Sequence, residues 1–521
     1  MLRSRRVPGS PDRVPASGSG GRHPVCGPGF RSIFARMWWR WLTQRDTWVF
    51  IAIACCLRLP LFGLLLREHG LHSAWYGWGA ETGDTPGYFG PMDAYLAGEG
   101  YRPDFRMPGY GLPYLLFRLF TTPQGAGSLI IVLQAVLGLA SVVVLARCAR
   151  LLGAPRWAQY ACCAVLCLSG RVVIHDVYWF TESLCTSSVI IGTHGWLAYR
   201  RSGVRSALLW SGVWLAWAVF LRPVQVVWLL LLAVSILGIG RHGVRGRVVA
   251  ALLLLAPFLL ADLWWVRRNA IMHGRFEPLS RGVVMPELAS SPMYPLMRFL
   301  QATGGNFYHW DPGADIRWFN MREGPYGQQG PRLDRDVVMP GFALCERITE
   351  DSLHAWAAEM SHWNDVRTTA AERAGLLRSM NARSDRYVGY FREDAPWRYH
   401  VTARIRLTGL LFRMTGAGAL FPSMSADPQD RYFPSMFLLD APVHWLVLIG
   451  GLLASVFFLI PGRADGATAL LAAMTLISIF LIPWGLRLAE GRYLVPMYPW
   501  LLLLFILGIV RLRSTFSCHA G

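Results

Sequence analysis

Charge is scarce in this chain: 16% of its 521 residues are charged, against 53% hydrophobic. That balance excludes a soluble multidomain enzyme and fits a chain whose apolar surface faces lipid. Acids are scarcer than bases, 32 against 51, which leaves a formal net charge of +19. No Cys-x-x-Cys and no Cys/His run with zinc spacing occurs among the ten cysteines. Cys55, Cys56, Cys148, Cys162, Cys163, Cys167 and Cys185 lie within or at the ends of apolar runs, and only Cys345 falls in the large region between them. This argues against a disulfide framework and reads the thiols as small packing groups. No cleavable signal peptide is evident, because a basic region leads into a full-length apolar run without a small-residue cleavage site. An internal repeat, expected of many transporters, is also missing.

Long apolar runs are present instead. A helix needs roughly 20 residues to cross the hydrocarbon core. That measure predicts an all-α polytopic membrane protein with ten spans, at 47–66, 128–149, 157–173, 180–199, 206–221, 224–240, 248–266, 443–460, 467–485 and 493–511. The stretch 108–120 is shorter and reads as a helix lying at the interface. Counted so, the Arg-rich connections fall on one side: Arg147, Arg150 and Arg156, then Arg200, Arg201 and Arg205, then Arg241, Arg245 and Arg247, then Arg463, then Arg511 and Arg513. The positive-inside rule then places both termini in the cytoplasm, and the basic balance needs no nucleic-acid partner. The expected organisation is a disordered cytoplasmic tail over 1–36, a membrane module over 37–266 with its first outer loop at 67–127, an outer insert over 267–441, C-terminal spans over 442–511 and a short tail over 512–521. Met37 opens Met-Trp-Trp-Arg-Trp and is an alternative translation start.

The polar chemistry gathers on the outer side. Asp84 stands in Gly83-Asp84-Thr85-Pro86-Gly87-Tyr88, and Arg106 opens Arg106-Met107-Pro108-Gly109-Tyr110 before the next apolar run. An acid and an arginine fixed at one membrane face can deprotonate an acceptor and hold a phosphate. The plainer readings are an Asx-type turn before Pro86 and a snorkelling interface arginine. Asp93 and Asp104 are further acids of the same loop, with turn or solvated roles as their plain reading. Arg58, Glu182, Arg222 and Asp262 lie inside or at the outer ends of spans, where they must face a cavity or one another. His175 and Asp176 precede Glu182 without metal-ligand spacing. Arg267, Arg268 and Arg492 lie on the outer face against the positive-inside trend, so an anion is expected there, either a carrier phosphate or lipid headgroups. In the insert, 397–412 carries arginines among apolar residues at helical spacing and reads as an amphipathic helix at the membrane surface.

Taken together, Asp84, Tyr88, Gly100-Tyr101, Arg106 to Tyr110, Thr181-Glu182, Arg222-Pro223, Arg268-Asn269 and Arg492-Tyr493 with Pro496 follow a shared order. In this the chain resembles the bacterial GT-C glycosyltransferases that use polyprenyl-phosphate sugars, the group of protein O-mannosyltransferases and lipid A aminoarabinose transferases. The resemblance spans roughly 45–280 and 395–512. It implies a GT-C bundle and transfer of a sugar, with inversion, from a polyprenyl-phosphate carrier to a lipid, glycan or protein acceptor at the periplasmic face of a bacterial inner membrane. It implies Asp84 as catalytic base, with Arg106, Tyr88, Tyr110, Glu182, Arg222, Arg268, Arg492 and Tyr493 as substrate-binding residues. A divalent cation is left open as a cofactor. The rival classes are a polytopic lipid or glycan transporter or flippase, and a polymer ligase or polymerase built on a large Arg- and His-rich outer loop.

Overall fold

The computed structural model describes residues 45–70, 76–82, 84–101, 103, 106–239, 243–274, 276–279, 292–305, 309–311, 316–317, 319–323, 329–333, 341–365, 367–413 and 433–519. The N-terminal tail and Asp104 lie outside this set. The molecule is predominantly helical. Among the described residues, six helices are long and apolar enough to cross a membrane: Arg45–Gly70, Pro123–Leu151, Val244–Met272, Ala441–Leu459, Gly466–Leu486 and Gly491–Thr515. A seventh is added if Arg156–Leu168 and Gly170–Asp176, bent by 58°, form one span. The protein is thus a multi-pass membrane protein.

The expected count of ten is therefore not reached, although each expected segment is helical. Arg205–Leu221 and Pro223–Gly238 are apolar but short. The helix Thr181–Ser202 is long enough but carries Glu, Ser, Thr and His throughout, so hydropathy fails on it. Its polarity is tolerated because the bundle encloses it. Thr186 and Ser188 donate to the carbonyls of Glu182 and Leu184 at 2.7 Å, and Thr193 accepts from Trp228 Nε1 at 2.9 Å. At Gly195 a Cβ would meet the Ala207 carbonyl oxygen at 2.9 Å, so the missing side chain lets Arg205–Leu221 lie directly against this helix.

The segment between the first two long apolar helices is pinned by aromatic packing. The helix Thr85–Leu96, started by Pro86, inserts Phe89 between Tyr110 and Tyr114, stacked on the latter at 4.0 Å. All three rings are fully buried. Trp179 closes the cluster edge-on and donates to the Gly127 carbonyl at 3.2 Å. The stretch expected to lie at the interface holds only the eight-residue helix Gly111–Arg118, far too short to span.

The insert mixes helices with two small antiparallel pairs, His309–Asp311 with Ile316–Arg317 and Phe319–Glu323 with Gln329–Leu333. Glu350–Trp363 and Ala370–Asp394 pack with Met293–Thr303 around Trp356, Phe299, Met360 and Phe391. Thr369 and Glu372 close a reciprocal capping box at the start of the longer helix. The expected surface helix is present as Ala403–Arg413, preceded by the widened turn Arg398–Thr402.

Trp356 is fully buried, so Trp356→Ala should cost about 3–5 kcal/mol locally. Limited proteolysis of the intact protein should then cut within 341–395 faster than in wild type. Unchanged cleavage would show that Trp356 does not hold the insert together.

Candidate functional site

The structure gathers residues from four distant parts of the chain at one end of the bundle. Asp84 caps the start of Thr85–Leu96, Glu182 lies in the first turn of Thr181–Ser202, Arg222 follows Arg205–Leu221, and Arg492 lies in the tight turn Gly491–Met497. Asp84 Oδ1 accepts from Arg106 Nη2 at 2.6 Å, and Oδ2 accepts from Arg492 Nη1 at 2.6 Å. Arg492 also bonds Glu490 through Nε, which stands 3.8 Å from Glu182 Oε1. Glu182 in turn pairs with Arg222, whose Nε donates to Thr181 Oγ1 at 3.0 Å. Three guanidinium groups and three carboxylates thus form one chain of contacts.

Burial makes this chain energetically consequential. The Glu182 side chain is fully buried and Arg222 is 8% exposed, whereas Asp84, Arg106 and Arg492 keep 14%, 13% and 26%. The far half is sealed and the Asp84 half is reachable from outside. Each arginine is also stacked on an aromatic face: Arg106 over Tyr88 at 4.7 Å, Arg222 over Tyr493 at 4.4 Å and Arg492 over Phe180 at 5.1 Å. A Cβ at Gly87 would collide with the Arg106 guanidinium, so the glycine makes room for it. Tyr110 packs against Tyr88 and donates to Gln134 Oε1 at 2.8 Å. Gln134 Nε2 then donates to the carbonyls of Asp176 and Tyr178 at 2.9 and 3.0 Å.

Burial alone raises the Asp84 carboxyl, but Arg492, by charge and hydrogen bond, and then Arg106 and Arg222 outweigh it and hold the group below the usual carboxylate value. Tyr88 moves the other way. Burial and then the Asp84 charge push its hydroxyl up to about 12, which leaves it a neutral donor.

Seven of the nine residues expected at the site come together, and Tyr110 braces it from behind. Arg268 does not join them. Its guanidinium donates to the Tyr101 carbonyl at 3.2 Å and packs against the Tyr101 and Trp265 rings, so it shapes the loop rather than the Asp84 cluster. Arg106, expected as a phosphate clamp, is paired with Asp84. The rival acid Asp93 is engaged by Arg118 and Tyr114, both at 2.9 Å. Asp176 pairs with Arg58 at 2.7 Å rather than facing Asp84, and Asp262 accepts from the Leu279 amide. Sequence reasoning missed Glu490, whose signal was its position two residues before Arg492 at the mouth of a span. Among the described residues no group of three His, Cys, Asp or Glu is placed to hold a metal ion.

Two solved structures are similar to the chain. One is the archaeal oligosaccharyltransferase AglB from Archaeoglobus fulgidus, in complex with an inhibitory peptide and a dolichol-phosphate, at 11% identity and a TM-score of 0.46, covering 92% of this chain and 52% of that one. The other is ArnT from Cupriavidus metallidurans in the apo state, at 13% identity and a TM-score of 0.30, covering 92% of this chain and 77% of that one. The chain spans about half the length of the archaeal protein. No family model and no curated protein sequence matches it.

Removing one partner of a buried ion pair strands the other charge, so Glu182→Gln should lower stability by about 3–5 kcal/mol. The paired change Glu182→Leu with Arg222→Met should restore much of the loss. Thermal melts in detergent test this, and a neutral single variant would refute the buried pairing. Because the folded Asp84 value is depressed, its stabilisation is complete above about pH 4 and fades as pH falls through the folded value. The melting-temperature gap between wild type and Asp84→Asn should therefore be constant at neutral pH and narrow only in acid.

Proposed function

We propose that the protein is an inverting membrane glycosyltransferase that moves a sugar from a polyprenyl-phosphate carrier to an acceptor at the periplasmic face of a bacterial inner membrane. The observation that carries this reading is the convergence of Asp84 with Arg106, Arg492 and the Glu182–Arg222 pair at one end of the bundle, beside the lipid-facing helices. An acid held among arginines at a membrane face suits a reaction that joins a hydroxyl nucleophile to a lipid-phosphate leaving group.

In this reading the acceptor oxygen attacks the anomeric carbon from the face opposite the carrier, and the bond to the phosphate oxygen breaks with its electron pair. Asp84 takes the acceptor proton. The arginine pairing that holds the Asp84 value down also weakens it as a base. The departing phosphate gains charge and needs guanidinium contacts more than a proton. Arg106 and Arg492 are the candidates, since both reach the accessible half of the site. Glu182, Thr181 and Tyr493 hold Arg222 in place and lend their positive neighbour to the same field. A divalent cation would add Lewis-acid charge stabilisation at the phosphate.

Transport gives a poorer account of the same geometry. A transport path would be expected to place polar groups near the middle of the bilayer, whereas these gather at helix ends. Both termini in the cytoplasm follow from the arginine placement under this reading.

Loss of a general base costs on the order of 10²–10⁴ in rate. Surface-glycan mass spectra of cells carrying Asp84→Asn should therefore match those of a deletion strain. A wild-type glycan profile in the variant, with a clear loss in the deletion, would remove Asp84 from the mechanism.

A further inference from the structure

We propose that Asp84 is the resident occupant of the phosphate position, so that the donor enters by exchange against this carboxylate and the base is released only once the donor is bound. The inference rests on the glycosyltransferase reading and adds an order of events to it.

The geometry is that of an anion site already filled. Two guanidinium groups from opposite ends of the chain each give one terminal N–H to a different oxygen of Asp84, both at 2.6 Å. Two oxygens of a phosphate present the same acceptor pair to the same forks. Asp84 makes this arrangement at the expense of its local role. It stands at the N-cap of Thr85–Leu96, a position where an aspartate ordinarily accepts from the helix amides, yet its side chain makes no cap hydrogen bond. Its carboxylate is turned away from its own helix toward the arginines.

The arginines are held independently of Asp84. Arg106 is stacked on Tyr88 over the space left by Gly87, and Arg492 is bonded to Glu490 and stacked on Phe180. Withdrawal of the carboxylate therefore leaves a formed two-armed anion site rather than a collapsed one. Exchange keeps the two arginines matched to one anion, and the freed carboxylate turns to the acceptor hydroxyl. The consequence is a compulsory order, donor before acceptor. Without donor, Asp84 stays engaged on both oxygens.

The test uses purified full-length protein in detergent and undecaprenyl phosphate as probe, read by intrinsic tryptophan fluorescence, with inorganic phosphate in a parallel arm to separate lipid recognition from the head alone. Asp84→Asn and Asp84→Ala should bind the lipid phosphate at least about ten-fold more tightly than wild type, and more tightly than Glu490→Gln, which removes a neighbouring acid without vacating the site. Arg106→Gln and Arg492→Gln should bind more weakly. Tighter binding cannot come from misfolding, and thermal melts verify each variant. Equal or weaker binding by both Asp84 variants, with the arginine variants still impaired, would overturn the exchange and leave the phosphate site standing. Absence of binding in every protein would overturn the phosphate site and this proposal with it.

Discussion

A charge held away from water must find an opposite charge, and in this protein that requirement is met through Arg492. Its Nη1 reaches Asp84 and its Nε lies between Glu490 and Glu182. The residue lies more than 400 positions from Asp84 in sequence, 408 by count. The C-terminal span can therefore seat only where its first turn completes the pairing of the first outer segment. Burial raises the stake: the same ion pairs on a soluble surface would be worth little, whereas here an unmatched partner would be left largely buried.

Every one of the 51 basic side chains counted as Lys or Arg is an arginine. This choice suits the site. A guanidinium offers several donors in one plane and a flat face for stacking, so a single residue can bond two acids and lie on a ring at once. Arg222 bonds Glu182 and the Thr181 hydroxyl while lying on Tyr493, and Arg492 contacts two acids while lying on Phe180. A lysine ammonium can satisfy the charge but neither the fork nor the stack.

Much of this site was legible because each residue carries a local signal. Asp84, Arg106, Glu182, Arg222 and Arg492 are ionisable groups at the mouths of apolar runs, where charge is rare enough to demand a reason. What one residue does with another was not legible. Hydropathy gives no distances, so it could not tell that Arg106 pairs with Asp84, or that Arg268 turns to the Tyr101 carbonyl. Length and hydropathy alone leave the expected count of ten unconfirmed for a related reason. Thr181–Ser202 is largely buried, and Thr186 and Ser188 donate to carbonyls one turn back, so composition measured against lipid misjudges it. Glu490 escaped notice because an acid near a span end is unremarkable until its partner is known.

The buried amide of Gln134 links matters that are far apart in sequence. It accepts from the Tyr110 hydroxyl and donates to the main-chain oxygens of Asp176 and Tyr178, just before Thr181–Ser202 begins. Tyr110 belongs to the same short stretch as Arg106, and Tyr178 stands three residues before Thr181. One side chain thereby sets the spacing between the loop that carries the outer arginine and the helix start that carries the inner acid. A lesion at position 134, out of reach of any bound molecule, would be felt as misalignment of both halves at once. Such a residue behaves like the pivot of a calliper: it touches nothing being measured, and the gap between the jaws depends on it.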